Sequence, residues 1–123
     1  MSLKDRISFL TSPAEVDAFL TENPTAAIFK VGNCHKTQET FTHVQEHLGP
    51  REDLKLGIIR VIESRSASNH VAALTGIEHE SPQIILFKDG RNVFDRDNWD
   101  ITAEAMAEGM KTVPALEETG ARA

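Results

Sequence analysis

The sequence predicts an α/β sandwich in which helices flank a mixed central sheet. Three observations carry this expectation. Short apolar runs alternate with amphipathic segments, and strands separated by helices imply right-handed parallel crossovers. Near the end, QIILFKDGRNVFD (83–95) reads as strand, Asp-Gly turn, strand, which is an antiparallel hairpin by its turn chemistry. The 123 residues suit one domain, 1–123, with enough chain to bury a core.

The elements follow in order. RISFL (6–10) is short and apolar, an edge strand. SPAEVDAFL (12–20) opens a helix, with Ser12 as N-cap, Pro13 at the first helical position and Glu15 in the first turn. AAIFK (26–30) is a short buried strand, and Gly32 and Asn33 then permit a sharp turn. From Cys34 to Leu48 the apolar Phe41, Val44 and Leu48 recur three and four apart, one helical stripe that Gly49-Pro50 ends. KLGIIRVIE (55–63) is a second buried strand centred on Ile58 and Ile59. SASNHVAALTG (66–76) is a helix closed by Gly76. After the hairpin, DITAEAMAEGMKTV (100–113) is a final helix, with Thr102 or Asp100 near its start and Lys111 near its end. The polar tail after Pro114 is expected to fray. The order is β-α-β-α-β-α-β-β-α.

Composition narrows the function classes. Hydrophobic residues make up 40% and charged residues 26%, as in an ordinary soluble globule. A formal net charge of −6 argues against a nucleic-acid surface, which needs a basic face. No apolar run reaches the roughly 18–20 residues of a membrane helix, and MSLKDRISFL lacks the features of a signal peptide. One cysteine forms neither an internal disulfide nor a multi-cysteine metal site. An unpaired thiol suits a reducing compartment, so cytoplasm is the expected location.

Cys34, in FKVGNCHKTQ (29–38), is predicted where a strand gives way to a helix. Backbone N–H groups and a partial positive charge gather at such an end. They favour thiolate, the nucleophilic form. Lys30, His35 and Lys36 add cations or donors nearby in sequence. The alternative is that a free cysteine is a small buried hydrophobe.

SNHVAALTGIEHESPQIILFKDGRNVFDRDNWDIT (68–102) resembles the monothiol bacilliredoxin family, of the YtxJ or BrxC type. Its most specific mark is TGIEHESPQ, followed by strand, turn, strand and NWDIT. The likeness runs from Phe29-Lys30 through the last helix. It implies a thioredoxin-like three-layer sandwich and removal of bacillithiol, a small thiol, from proteins that carry it as a mixed disulfide. It also implies that the Ser81-Pro82 bond is cis and lies against Cys34, with the Ser81 backbone pairing to an extended thiol substrate. Members of the family show FKHST-x-CP or close to it. Here the chain reads FKVGNCHK: the loop is one residue shorter, its hydroxyls are missing, and His35 replaces the proline. Histidine is the side chain that changes charge near neutrality, so His35 either supports the thiolate as a cation or points to solvent.

The expected site is therefore Cys34 as nucleophile, with Lys30, Gly32, Asn33, His35, Lys36, His79, Ser81, Pro82 and Trp99 around it. His79 orients the loop, shapes the thiol pocket or bonds locally. Lys30 meets a ligand carboxylate or is an ordinary strand-end lysine. Trp99 covers the ligand or packs under the hairpin. His43 and His47 stand four apart but off the apolar stripe, so a solvated face is expected there and no metal site. No bound cofactor is expected, and bacillithiol is the cosubstrate. The expected partners are bacillithiolated client proteins, a low-molecular-weight thiol and another redoxin. Two rivals stand: a redox-inactive thioredoxin-like module that binds peptides, and a glutaredoxin-like monothiol protein that uses glutathione.

Overall fold

The computed structural model describes residues 2–33 and 35–115. After a 3-10 turn at Leu3–Arg6, the elements are β1 (Ile7–Phe9), α1 (Pro13–Glu22), β2 (Ala26–Val31), α2 (His35–Leu48), β3 (Leu56–Arg60), α3 (Arg65–Thr75), β4 (Gln83–Lys88) and β5 (Arg91–Asp97). A second 3-10 turn at Asn98–Asp100 leads to α4 (Ala103–Met110). The sheet order is β1-β3-β2-β4-β5. β1 and β2 run parallel to β3, while β4 and β5 are antiparallel additions. This is the predicted mixed sheet.

Side chains alternate across the sheet, and each face is covered. Ala27, Phe29, Leu56, Ile58, Ile84 and Leu86 pack with Val44 and Leu48 of α2 and Met106 of α4. On the other face Ile28, Ile59, Ile85 and Phe87 pack with Val16 and Phe19 of α1 and Ala67 and Val71 of α3. Burial on both faces is why these strands read as unbroken apolar runs.

The local signals act as expected. Ser12 Oγ accepts the Glu15 N–H at 3.2 Å, and the Glu15 carboxylate reaches back to the Thr11 N–H at 2.7 Å. Gly76 closes α3 in the left-handed region at φ 73°. Asp89 and Gly90 both have positive φ, 53° and 83°, the backbone of a type I′ hairpin turn.

Several boundaries differ: β1 is trimmed to Ile7–Phe9, and α1 and β2 run on to Glu22 and Val31. β3 ends at Arg60, because the chain turns at residues 61–63 to start α3 one residue early. β5 extends to Asp97. The last helix is shorter than 100–113: the Thr102 hydroxyl, not Asp100, caps it by accepting the Ala105 N–H at 3.0 Å, and residues 111–113 have left the helix. Of the tail expected to fray, residues 116–123 lie outside the described residues.

The opening segment holds a residue that the sequence did not single out. Arg6 is buried, and its guanidinium donates to the carbonyls of Gly49, Arg51 and Leu54 at 2.8, 2.7 and 2.6 Å. Longer contacts at 3.4 Å reach the Leu48 carbonyl. A cation at the carboxyl end of α2 complements its unpaired carbonyls and fixes the far end of the helix whose start carries the site.

Candidate functional site

The site is built where β2 ends. Gly32 and Asn33 leave the strand, and α2 begins at His35. Cys34, the predicted nucleophile, lies outside the described residues, so its neighbours define the place. The Gly32 N–H points to Thr37 Oγ1 at 3.4 Å, across the turn. His35 and Asn33 are both exposed.

The loop before β4 stands against this turn. A Cβ added to Gly32 would sit 2.9 Å from Ser81 Oγ, so only glycine permits this approach without a shift. The Ser81-Pro82 bond is cis, and Pro82 is buried. The sequence placed this loop beside the cysteine's turn, and Gly32 and Ser81 meet there.

Asn98 ties the loop to two other elements. Its N–H donates to the Pro82 carbonyl at 2.9 Å. Its amide oxygen accepts from Lys36 Nζ in α2 at 2.9 Å, and its amide nitrogen donates to Glu80 Oε1 at 3.2 Å and Asp97 Oδ1 at 3.1 Å. Lys36 is therefore tied through Asn98 to the loop before β4. Asn98 was missed as a site residue. Its signal was present in the NWDIT segment, since asparagine tolerates the left-handed backbone that it adopts at φ 50°.

Behind the turn lies a polar cluster inside the fold. Lys30 is 0% exposed. Its ammonium lies 3.3 Å from His79 Nδ1, and Ser68 Oγ of α3 lies 3.0 Å from the same nitrogen. A charged Lys30 ammonium can only donate, so while Lys30 is charged Nδ1 accepts from it and neutral His79 carries its proton on Nε2. Burial pushes the Lys30 amine down to about 8. His79 is lowered as well, first by desolvation and then by the Lys30 cation, with Glu80 opposing and Arg65 adding to the effect. Gln83 is also fully buried; its amide nitrogen donates to the Glu78 carbonyl at 3.1 Å, and its Oε1 has no partner among the described residues.

Two expectations change here. In this structure Lys30 does not present its amine to a ligand carboxylate. The strand register points it inward, toward the α3 side of the sheet. Trp99 does not pack under the hairpin. It is 53% exposed, on the turn before α4.

On the other flank of α2's first turns runs a groove of about 260 Å³, lined by Val31, Thr37, Gln38, Phe41, Ile58 and residues of the sheet edge. Phe41 stacks on Phe29 at 5.6 Å, and Arg60 lies over the Phe9 ring at 4.4 Å. On α2, His47 Nδ1 lies 3.0 Å from the His43 carbonyl, and among the described residues no group of three or more His, Cys, Asp or Glu side chains stands together. Among those residues no helix is long and apolar enough to cross a membrane.

Comparison with known proteins agrees with this geometry. A structure described as a candidate oxidoreductase with a thioredoxin fold superposes with a TM-score of 0.79 at 25% identity, covering 88% of this chain and 96% of that one. Thioredoxin O2 from Arabidopsis thaliana in its oxidised state gives 0.72 at 14% identity, covering 92% and 98%. Fasciola hepatica thioredoxin gives 0.71 at 12% identity, covering 86% and 98%. These last two speak for the thioredoxin fold alone. The family model described as monothiol bacilliredoxin BrxC matches residues 8–106.

Proposed function

Because the chain belongs to the monothiol bacilliredoxin family, we propose that it removes bacillithiol from protein mixed disulfides through Cys34. The thiol–disulfide redox role itself follows from the family and the fold. The observation that carries the finer reading is the family match over residues 8–106, a span that contains the chain's one cysteine.

The Cys34 thiolate attacks the bacillithiol sulfur of the client's mixed disulfide. That S–S bond breaks, the client cysteine leaves as thiolate and takes a proton from water, and bacillithiol remains on Cys34. With no second cysteine in the chain, an outside thiol resolves the adduct. Free bacillithiol or another redoxin attacks the bacillithiol sulfur and becomes oxidised to a disulfide, and Cys34 leaves again as thiolate. No prosthetic group is needed, since the small thiol is the cosubstrate.

The surrounding residues take roles that fit their positions. Gly32, Asn33 and Ser81, with Pro82 behind them, form the edge that an extended client segment meets. Lys36, held by Asn98, supplies a cation for a carboxylate of the small thiol. His35 and Trp99, both exposed, flank it. His79 shapes the loop from behind.

Mass spectrometry after separate exposure to oxidised bacillithiol and oxidised glutathione tests this reading. The expected result is one bacillithiol on Cys34 and little glutathione. Preferential glutathione addition would replace the proposal with a glutaredoxin-like one. No adduct with either would replace it with a peptide-binding module.

A further inference from the structure

We propose that His79 is a positioning residue whose charge sets the loop before β4: neutral, it clasps the loop onto β2 and α3, and protonated, it lets go. The loop carries Ser81 and Pro82, so the use of the clasp rests on their proposed client-facing role. The clasp itself does not, and it is tested without any thiol, so the two readings fail separately.

Three elements meet at one ring nitrogen. His79 Nδ1 lies 3.3 Å from Lys30 Nζ of β2 and 3.0 Å from Ser68 Oγ of α3. Lys30 is fixed where it stands. It sits on the central strand, opposite Ile59 of β3 and Gln83 of β4, and is fully buried. Ser68 is buried in α3. His79 is held differently. It lies outside helix and strand, and as a residue it is exposed, although its Nδ1 faces inward. Protons therefore reach the ring from solvent, and a released ring has water to move into.

The charges around the ring decide what protonation does. The Lys30 ammonium acts on it from β2, the Arg65 guanidinium from α3 and the Glu80 carboxylate from the loop itself, while the Gln83 amide of β4 is uncharged. The one acid is already engaged, its Oε1 accepting from the Asn98 amide at 3.2 Å. Protonation turns Nδ1 into a donor. The Ser68 hydroxyl can rotate and accept from it, but an ammonium has no lone pair to offer. Two like charges then face each other at 3.3 Å beside the sheet interior, where water screens them poorly. Lys30 cannot retreat, so the loop gives way. His79 is accordingly held below the ordinary histidine range, first because its inward side is desolvated and then by the Lys30 cation. The clasp is made at neutral pH and lost as pH falls through the His79 pKa. The ends of the loop stay tied, since the Glu78 carbonyl accepts from Gln83 and the Pro82 carbonyl from the Asn98 N–H. What loosens is the stretch from His79 to Ser81.

NMR of the full chain tests the clasp, by titrating the His79 ring and measuring nitrogen-15 relaxation of the loop. In wild type the backbone order parameters of His79, Glu80 and Ser81 should be about 0.85 at about one pH unit above the His79 midpoint, and should fall toward about 0.6 at about one unit below it. Two variants separate the cause. Lys30→Met removes the cation, so the His79 midpoint should rise toward the ordinary histidine value and the loop should keep its order on both sides of it. His79→Asn keeps an acceptor near the place of Nδ1 and does not titrate, so its loop should stay ordered across the same pH range. A wild-type loop equally ordered on both sides, a midpoint unmoved by Lys30→Met, or a ring that stays neutral until the protein unfolds in acid overturns the proposal. So does an Asn variant that loosens in acid as wild type does, which would assign the change to the carboxylates of Glu80 and Asp97.

Discussion

Lys30 carries the cost of its burial in its acid–base equilibrium. Its folded pKa is lowered to about 8 from an ordinary 10.5. Below pH 8 both folded and unfolded chains hold the proton, and the cost of the buried charge is felt in full. Between pH 8 and 10.5 the folded chain releases it while the unfolded chain keeps it, so stability rises with pH. By pH 9.5 the gain over neutral pH should be about 2 kcal/mol, and Lys30→Met should lack this component. Urea unfolding of both proteins at pH 7 and 9.5 checks it; equal pH slopes would contradict it. Arg6 makes the opposite kind of prediction. Arg6→Met strips donors from the carbonyls of Gly49, Arg51 and Leu54, and should cost about 3 kcal/mol in the same assay. Neither residue could be read locally. The carbonyl partners of Arg6 lie 42–48 positions away, and Lys30 looks like any strand-end lysine until the register of β2 with β4 turns it inward.

At the scale of elements, Asn98 is the joint between α2, the loop before β4 and the end of β5. Asn98→Gly separates its two jobs. Glycine keeps the left-handed backbone at φ 50° at no steric cost, while the side-chain bonds to Lys36 and Glu80 are lost. Stability should change by less than about 1 kcal/mol, whereas thiol transfer should slow several-fold as Lys36 loses its anchor. Parallel unfolding and transfer assays read the two effects, and an unchanged transfer rate would remove Asn98 from the site. Thr102→Ala should cost α4 about 1 kcal/mol through loss of its cap. The elements themselves were legible because apolar runs, caps and the Asp-Gly turn all act within a few residues. The ends of the last helix were less so: Asp100 and Thr102 are both good caps by type, and the 3-10 turn at Asn98–Asp100 takes up Asp100.

For the whole molecule, the topology explains why distant stretches of sequence form one site. The crossover from β2 through α2 and the antiparallel return of β4 bring Gly32 and Ser81 together, although 49 positions separate them. The family likeness carried that pairing in HESPQ and the single cysteine. It did not carry the interior cluster of Lys30, Ser68, His79 and Gln83, which needs the three-dimensional register. The account makes the chain a one-cysteine transfer device that accepts a small thiol and waits for an outside thiol to remove it. The most direct test gives a bacillithiolated client protein to wild type and to Cys34→Ser, and follows both proteins by intact-mass spectrometry. The account predicts that wild type gains one bacillithiol as the client is reduced, that the adduct persists until free thiol is added, and that the serine variant does neither. A serine variant that frees the client at the wild-type rate would contradict it.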